Sequence, residues 1–357
     1  MKYFFYSLLW LGLATGLGGC ASLSYYGQAV AGHLDVMQRR QPIESLLADP
    51  ETPAALRAKL EQALAIKEFA SQSLGLPDNG SYRSYADLQR PYVVWNVIAT
   101  PELSLTPRQW CFPFAGCLQY RGYYDEADAR AFARRLAARG DDTYVGGASA
   151  YSTLGWFDDP VLNTMLHWNG AQLAQVIFHE LAHQQVFIKG DTEFNEAFAE
   201  TVGIAGTRRW LEAHGNPAAL EAYETRLERK NRLLEMIFAT RRELAGVYDS
   251  NLNDDVKRER KQALLAGLKQ RYRELRDNGW QHFADYDLWF KGGLNNAKLA
   301  AVATYWQLVP AFMQLLEAVD HDLERFYDRV AALGRVPTCR AAPVADRQRP
   351  GGRLRAR

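Results

Sequence analysis

The sequence lacks an excess of charge of either sign, with 42 Lys and Arg against 41 Asp and Glu in 357 residues. Binding to nucleic acid through phosphate contacts requires a clearly basic surface, so this balance gives no indication of a nucleic-acid partner. Cysteine is also scarce, with four residues and no C-x-x-C pair of the kind that binds zinc. Hydrophobic residues make up 48% of the chain, which is enough for a sizeable folded core.

The first twenty residues, MKYFFYSLLWLGLATGLGGC, carry one positive charge followed by an apolar run. The run is too short and too rich in glycine for a membrane span, so it predicts a signal peptide over residues 1–19. Its end, Leu17-Gly18-Gly19-Cys20, resembles the bacterial lipobox, which implies that Cys20 is diacylated and becomes the mature N-terminus. The alternative is a short membrane anchor with a chance cysteine. Ala21 favours sorting of the lipoprotein to the outer membrane, on its periplasmic side.

The other cysteines agree with export. Cys111 and Cys117 lie close together in QWCFPFAGCLQY, and we expect them to form a disulfide in an oxidising periplasm. Cys339 lies in a C-terminal stretch rich in arginine and is predicted to stay unpaired. Residues 336–357 are predicted to be a disordered tail.

Hydrophobic patterning predicts a mainly helical α+β fold. We expect a lipid-anchored tether over residues 20–50 and one domain over 51–335. Helices are predicted at 53–75 and 125–140, and a strand at 92–100.

The glycine-rich and aromatic stretch 142–162 predicts two short strands before the next helix. A strand beside an active site can pair with an extended peptide through its backbone. A possible substrate edge is therefore assigned to Ala150, Tyr151, Ser152 and Thr153. The alternative is a loop-rich sheet without a role in ligand binding.

From residue 171 onward the pattern is almost wholly helical, with helices predicted at 171–188, 193–214, 217–247, 255–277, 296–307 and 310–333. Turn-rich DSNLNDD separates the two long charged helices, so residues 217–277 are predicted to form an antiparallel helical hairpin. Its inward-facing candidates are Leu227, Leu234, Ile237, Leu264, Leu268 and Tyr272. Such an arm is either a solvated structural element or a lid that binds a partner.

The segment QLAQVIFHELAHQQVF contains His179-Glu180-Leu181-Ala182-His183. Residues four apart lie on one face of a helix, so both imidazoles can point at one metal ion. Glu180 lies about 100° round from His179, where it can reach a metal-bound water as a general base without being a ligand. The alternative is a buried histidine pair that hydrogen-bonds to backbone carbonyls.

A second helix is predicted thirteen residues after His183, in EFNEAFAETVG. Glu196 and Glu200 are again four apart. Glu196 completes a His2Glu set for one zinc ion per chain and leaves a fourth position for water. Glu200 is placed to accept the second ring N–H of a ligating histidine, with His179 favoured. Glu193 is a competing carboxylate.

HELAH followed by NEAFAE resembles the gluzincin metallopeptidases, which implies a zinc-dependent peptidase. The link between the two helices is shorter here, and Glu200 stands where the gluzincin pattern has aspartate. More closely, the chain resembles the bacterial family of exported lipoproteins described as putative aminopeptidases. The segments that carry this resemblance are TLGWFDDPVLNTML, HELAHQ, NEAFAETVG and LNNAKLAAVATYWQLVPAF. The family name implies removal of N-terminal residues from peptides.

Other roles are less specific in the sequence. Tyr305 is a candidate donor to the oxyanion, with Tyr151 as its rival, although either residue could belong to the core. Candidates for binding a free α-amine are Asp158, Asp159 and Glu193. Asn295 and Asn296 are expected to cap a helix rather than line the cleft.

Two further functions stay open at this point. Without an amine-binding carboxylate, the same zinc site would serve an endopeptidase. The other alternative is a non-catalytic envelope lipoprotein that keeps a structural zinc and binds a partner through its hairpin. A structural site would usually have a fourth protein ligand, and none offers itself at motif spacing.

Overall fold

The computed structural model describes residues 24–112, 116–215, 217–280 and 286–335. The predicted signal peptide, Cys20, Cys339 and the tail over residues 336–357 lie outside the described residues. The fold is mainly helical with three small sheets, which confirms the predicted α+β class.

The N-terminal segment differs from the prediction of a tether over residues 20–50. Residues 24–38 form helix α1, followed by strand β1 (Gln41–Pro42) and helix α2 (Ile43–Ala48). Val36 and Ile43 are fully buried in the main core, so from residue 24 this segment is part of the folded body. Apolar residues lie on more than one face of α1, so its sequence alone does not show which face packs.

Three sheets lie ahead of the two histidine- and glutamate-bearing helices. The first joins β1 to β2 (Ser84–Ala86) and β8 (Val161–Leu162), and the third is the hairpin of β4 (Trp110–Phe112) and β5 (Gly116–Leu118). The second, called here the main sheet, has the order β6-β3-β7, with β3 at Val94–Pro101, β6 at Arg121–Tyr123 and β7 at Asp141–Ala148. Both of its strand pairs are antiparallel.

The main sheet has two different faces because side chains alternate along a strand. Trp95, Val97 and Ala99 of β3 pack against helix α4 (Glu126–Ala137). Asn96 points to the opposite face, where the small residues Gly122 and Gly146 flank it in register. On that second face, Ile98 packs against Ala297 and Ala300 of the helix Asn296–Trp306, whereas Val94 and Asn96 line a cleft.

The helical part agrees with the prediction within three residues at nearly every boundary. The helices are α3 (Ala54–Leu74), α5 (Gly170–Gln185), α6 (Thr192–Ala213), α7 (Pro217–Asp249), α8 (Asp254–Gly279), α9 (Asp287–Lys291), α10 (Asn296–Trp306), α11 (Val309–Glu317) and α12 (Leu323–Gly334). Asn169 caps α5 through a capping box with Gln172, and Asn295 caps α10 by accepting from the Lys298 N–H.

The prediction of a single helix over 310–333 is wrong. The chain turns between α11 and α12 through Asp320 and His321, both in the left-handed region with φ of 57° and 59°. The His321 N–H closes the turn on the Leu316 carbonyl. No glycine or proline marks this break, so the sequence pattern gave no signal for it.

Residues 296–317 are long and apolar enough to cross a membrane by composition alone. In the fold they are two helices, and Phe312 and Leu316 of α11 are buried in the main core. Their hydropathy therefore has an explanation in core packing.

The predicted helical hairpin is formed by α7 and α8, and it is fixed to the main sheet. Lys261 of α8 is buried and binds Asp142 of β7, with Nζ 2.6 Å from Oδ2. Asn296 donates to the Glu102 carbonyl and accepts from the Tyr248 hydroxyl. The hairpin is thus anchored near the turn that connects its two helices rather than projecting freely.

Helices α5 and α6 pack closely because Gly203 has no side chain. A Cβ at this position would lie 2.9 Å from the Gln175 carbonyl oxygen of α5 and 3.6 Å from the His179 Cβ. Backbone carbonyls cannot move away as a flexible side chain can, so any larger residue must separate the two helices.

We predict that Gly203→Ala lowers the free energy of unfolding by about 1–3 kcal/mol relative to Gly246→Ala, measured by urea denaturation. Gly246 is the matched control, since it is also inside a helix but has nothing within 4 Å of the added carbon. Both variants gain the same helix propensity, so their difference isolates overpacking. Equal stability of the two variants would contradict this account of the helix contact.

Candidate metal centre

Three donor atoms converge between α5 and α6. His179 and His183 are both buried on one face of α5, and their Nε2 atoms are 3.2 Å apart. Glu196 of α6 places Oε2 3.3 Å from the Nε2 of His179 and 3.6 Å from that of His183. Tetrahedral zinc bonds of about 2.1 Å place neighbouring ligand atoms about 3.4 Å apart, so the spacing fits one such ion.

The charge state of Glu196 also suits a cation. Burial opposes its ionisation, but His183 and the hydrogen bond with His179 outweigh burial and lower the pKa of Glu196 to about 2. An ionised carboxylate beside two imidazoles is the donor set that binds a divalent metal. These three residues form a group able to hold an ion among the residues that the structure describes.

Glu200 lies against the other nitrogen of His179. Its Oε2 is 3.2 Å from Nδ1, and its Oε1 accepts from Gln175 Nε2 at 2.7 Å. A carboxylate at Nδ1 keeps the ring proton there and leaves the Nε2 lone pair facing Glu196 and His183. Glu200 thus lies beside His179, the histidine that the sequence favours.

Two supports of Glu200 were missed in the sequence. Gln175 lies four residues before His179 on the same helix face, a spacing that could have identified it, and it also accepts from the Tyr223 hydroxyl. Lys230 of α7 lies 3.6 Å from Glu200 Oε1, with its ammonium over the Trp306 ring. Lys230 lies thirty residues after Glu200, so no local spacing in the sequence indicates this contact. The pKa of Glu200 is lowered because Lys230 and His179 outweigh burial.

Glu180 lies beside the three donors without joining them. It is buried and lines the same cleft as His179, His183 and Glu196. Burial raises the pKa of Glu180, although the two histidines act in the opposite direction. A raised pKa makes the Glu180 carboxylate a stronger base than an exposed one.

The cleft over these residues has a volume of about 390 Å³. One wall is the second face of the main sheet, with Val94, Asn96, Gly122 and Ala148, and another is formed by Tyr25 and Ala29 of α1. The fold thus encloses the donors between a sheet face and two helices.

Five tyrosines line the cleft, and three of them, Tyr305, Tyr120 and Tyr151, are candidate hydrogen-bond donors to an oxyanion. The ring of Tyr305 stacks at 6.4 Å from the ring of His179, and burial raises the pKa of Tyr305 well above its usual range. Burial also raises the pKa of Tyr120, a residue that sequence reasoning missed. Tyr151 is the third, and its hydroxyl is 3.0 Å from Nδ1 of His33. Tyr305 and Tyr120 both remain protonated donors beside the metal site.

The predicted substrate edge is not a strand. Residues 149–153 lie in the connection between β7 and β8, and the backbone N–H of Thr153 donates to Asp159 Oδ2. Ser152 Oγ accepts the next N–H, that of Leu154. Ala150, Tyr151 and Ser152 line the cleft, whereas the Thr153 hydroxyl bonds to Phe157. Side-chain acceptors have taken up the N–H groups that strand pairing would use.

The candidate amine-binding carboxylates are placed elsewhere. Asp159 is buried and does not line the cleft, and Glu193 accepts from Gln119 Nε2 at 2.9 Å. Among the described residues, the carboxylates that line the cleft are Glu180 and Glu196. Neither Asp159 nor Glu193 is grouped with the metal donors.

A family model described as putative aminopeptidase matches residues 24–342. The chain belongs to this family. Its match begins in α1 and takes in both donor-bearing helices, the hairpin and α12, so the family unit includes the whole cleft. Neither the curated proteins nor the solved structures contain a match. Membership indicates a hydrolase that acts on peptides.

We predict that Glu200→Gln weakens zinc binding about 10–100-fold, because the neutral amide no longer holds the His179 proton on Nδ1. Competition with a chromophoric chelator would measure the dissociation constant. Glu193→Gln is the control, since Glu193 lies on the same helix but bonds to Gln119. Unchanged affinity in Glu200→Gln would remove the assigned role of Glu200.

A second prediction concerns the pH dependence of stability. Burial raises the pKa of Asp159 to about 7, despite the bonds from Thr153. The unfolded chain releases this proton near pH 4 and the folded protein near pH 7, so Asp159 makes the free energy of unfolding fall as pH rises through that window. Asp159→Asn removes the effect and still accepts from Thr153. At pH 8 the free energy of unfolding of Asp159→Asn should exceed that of wild type by up to a few kcal/mol, and at pH 4 it should not. Urea denaturation at the two pH values measures this difference. A constant difference between these pH values would contradict the shift.

Proposed function

We propose that the protein is a zinc-dependent peptidase that hydrolyses peptide bonds with a metal-activated water. The observation that carries this proposal is the set of three buried donors, 3.2–3.6 Å from one another, with the Glu180 carboxyl alongside and a cleft above. A His2Glu set fits zinc and leaves a fourth position open. A bound zinc ion would supply Lewis acidity and lower the pKa of its water.

The chain's own residues divide the remaining work. Glu180 accepts the proton of the attacking water and returns it to the leaving amine, a role that suits a buried carboxyl with a raised pKa. Tyr305 and Tyr120 hold protonated hydroxyls at the cleft and donate to the oxyanion. Glu200 keeps the proton of His179 on Nδ1.

The likeness to gluzincins supports this arrangement. Glu200 replaces the aspartate of that pattern, and its longer side chain still reaches His179 at 3.2 Å. The resemblance and the geometry therefore support the same two roles, Glu196 as a ligand and Glu200 as the carboxylate that orients His179.

Aminopeptidase activity is the primary proposal, because the family description names it. Endopeptidase activity at the same site is the second candidate, since Glu180 and Glu196 are the cleft-lining carboxylates of the described residues and both have roles at the metal. A peptide pool with free and acetylated N-termini separates the two. Cleavage restricted to free N-termini supports the first, and internal cleavage of both sets supports the second.

The non-catalytic alternative assigns the hairpin to partner binding and the metal to structure. A closed structural site would add a fourth protein ligand, whereas the donor group within the described ranges has three members beneath a cleft. That geometry favours catalysis.

We further propose that the mature chain is a periplasmic lipoprotein of the outer membrane, anchored through Cys20. The disulfide between Cys111 and Cys117, which joins β4 to β5, supports an oxidising compartment. The mass of the N-terminal peptide from membrane-extracted protein would test the anchor, since diacylated Cys20 must begin that peptide.

We predict that Glu180→Gln keeps one zinc per chain but loses about 10²–10⁴-fold in peptide hydrolysis, because the general base is removed while the ligands stay. Zinc content by elemental analysis and cleavage of the peptide pool are the two readouts. Glu193→Gln serves as the control and should retain activity. Equal activity of Glu180→Gln and wild type would overturn the catalytic proposal.

A further inference from the structure

Helix α1 presents two different faces. Tyr25 and Ala29 point inward and line the catalytic cleft. Tyr26, Val30 and Leu34 are 43%, 60% and 49% exposed and follow one another at intervals of four residues. Residues at that spacing form one stripe along a helix, so the wall of the cleft carries an apolar stripe on its outer side.

The connection between β7 and β8 extends this stripe. Trp156 is 71% exposed and Phe157 is 51% exposed. The Phe157 ring lies 4.6 Å from the ring of His33, which stands next to Leu34 in α1. Together, Tyr26, Val30, Leu34, Trp156 and Phe157 are called here the apolar face. They are five of the seven large hydrophobic residues exposed in the described part of the chain.

The apolar face is also free of charge along the helix. From Ser24 to Leu34 the sequence SYYGQAVAGHL contains no Asp, Glu, Lys or Arg. The exposed residues between the members of the stripe are Gly27 and Ala31. A soluble surface helix normally carries charges on its outer side, so this helix matches a surface that is covered in use.

The position of the apolar face identifies what covers it. Three residues lie between Cys20 and Ser24, and an extended chain spans at most about 14 Å over these four residue steps. This step rests on the lipid anchor proposed above. With acyl chains at Cys20, helix α1 cannot leave the membrane surface.

We propose that the apolar face lies in the interface of a phospholipid bilayer, where it is a second attachment beside the lipid on Cys20. Amphipathic helices bury such faces about 5–10 Å deep, and tryptophan and tyrosine are preferred at that level. Because α1 is also a wall of the cleft, this attachment holds the cleft beside the membrane. The substrates it favours are polypeptide segments close to the bilayer.

The test uses the intact lipoprotein, reconstituted into vesicles of phosphatidylethanolamine and phosphatidylglycerol with brominated acyl chains. Bromines quench tryptophans that enter the bilayer. Trp156→Phe should remove most of the bromine-dependent quenching. The control is Trp289→Phe, which replaces a half-buried tryptophan of α9 and should leave the quenching unchanged. Equal quenching in wild type and Trp156→Phe would overturn the proposal.

A second pair of variants tests the whole face. Val30→Asp/Leu34→Asp should lift Trp156 from the bilayer and abolish its quenching, while cleavage of a soluble peptide stays unchanged. The control is Leu288→Asp/Leu333→Asp, the two exposed leucines outside the apolar face. Quenching does not depend on catalysis, so an inactive protein that still shows it would remove the peptidase proposal alone.

Two other outcomes would overturn the inference. Absence of acyl chains on Cys20 would remove the anchor from which it starts. A stable dimer of the mature chain without its lipid, broken by Val30→Asp/Leu34→Asp, would assign the apolar face to a second copy instead.

Discussion

The site depends on one histidine held from both sides. Glu196 and Glu200 stand one turn apart on α6, and His179 lies between them, with Nε2 toward the first carboxylate and Nδ1 toward the second. This arrangement requires α5 and α6 to run close together, and Gly203 permits that approach. The close approach of α5 and α6 therefore determines both the position of His179 as a metal donor and the tautomer of its ring.

Charge balance explains why so many ionisable groups are buried in one place. Three carboxylates, Glu180, Glu196 and Glu200, lie at the site with one ammonium, Lys230. Burial opposes a charge on His179, but its contacts with Glu196 and Glu200 raise the pKa of the ring well above its usual range, so without a metal a protonated His179 offsets part of the negative charge. A buried uncompensated charge is costly, and a divalent cation bound by neutral imidazoles would take over this compensation. Metal binding and folding stability would therefore be interdependent.

The sequence predicted the parts of the site that depend on local periodicity. Spacing of four placed His179 with His183 and Glu196 with Glu200, and capping residues located the helix starts. It failed where the outcome depends on distant partners. Lys230 lies thirty residues after Glu200 in the sequence and contacts it from α7. Tyr120 lines the cleft from the connection between β5 and β6. The expected edge at residues 150–153 failed because Asp159 and Ser152 accept the N–H groups that pairing needs. A helical period cannot show these contacts.

The helical hairpin and helix α1 differ in how they are attached and in where they lie relative to the cleft. The hairpin is fixed to the main sheet by Lys261 and Asp142, and α7 supports Glu200 through Lys230 and, by way of Gln175, through Tyr223. A lid role for this arm would require breaking a buried ion pair, which is strongly unfavourable. Helix α1 instead contacts the cleft on one side and solvent on the other. A lipid surface on its outer side would therefore lie against a wall of the cleft and would couple membrane attachment to access of the substrate.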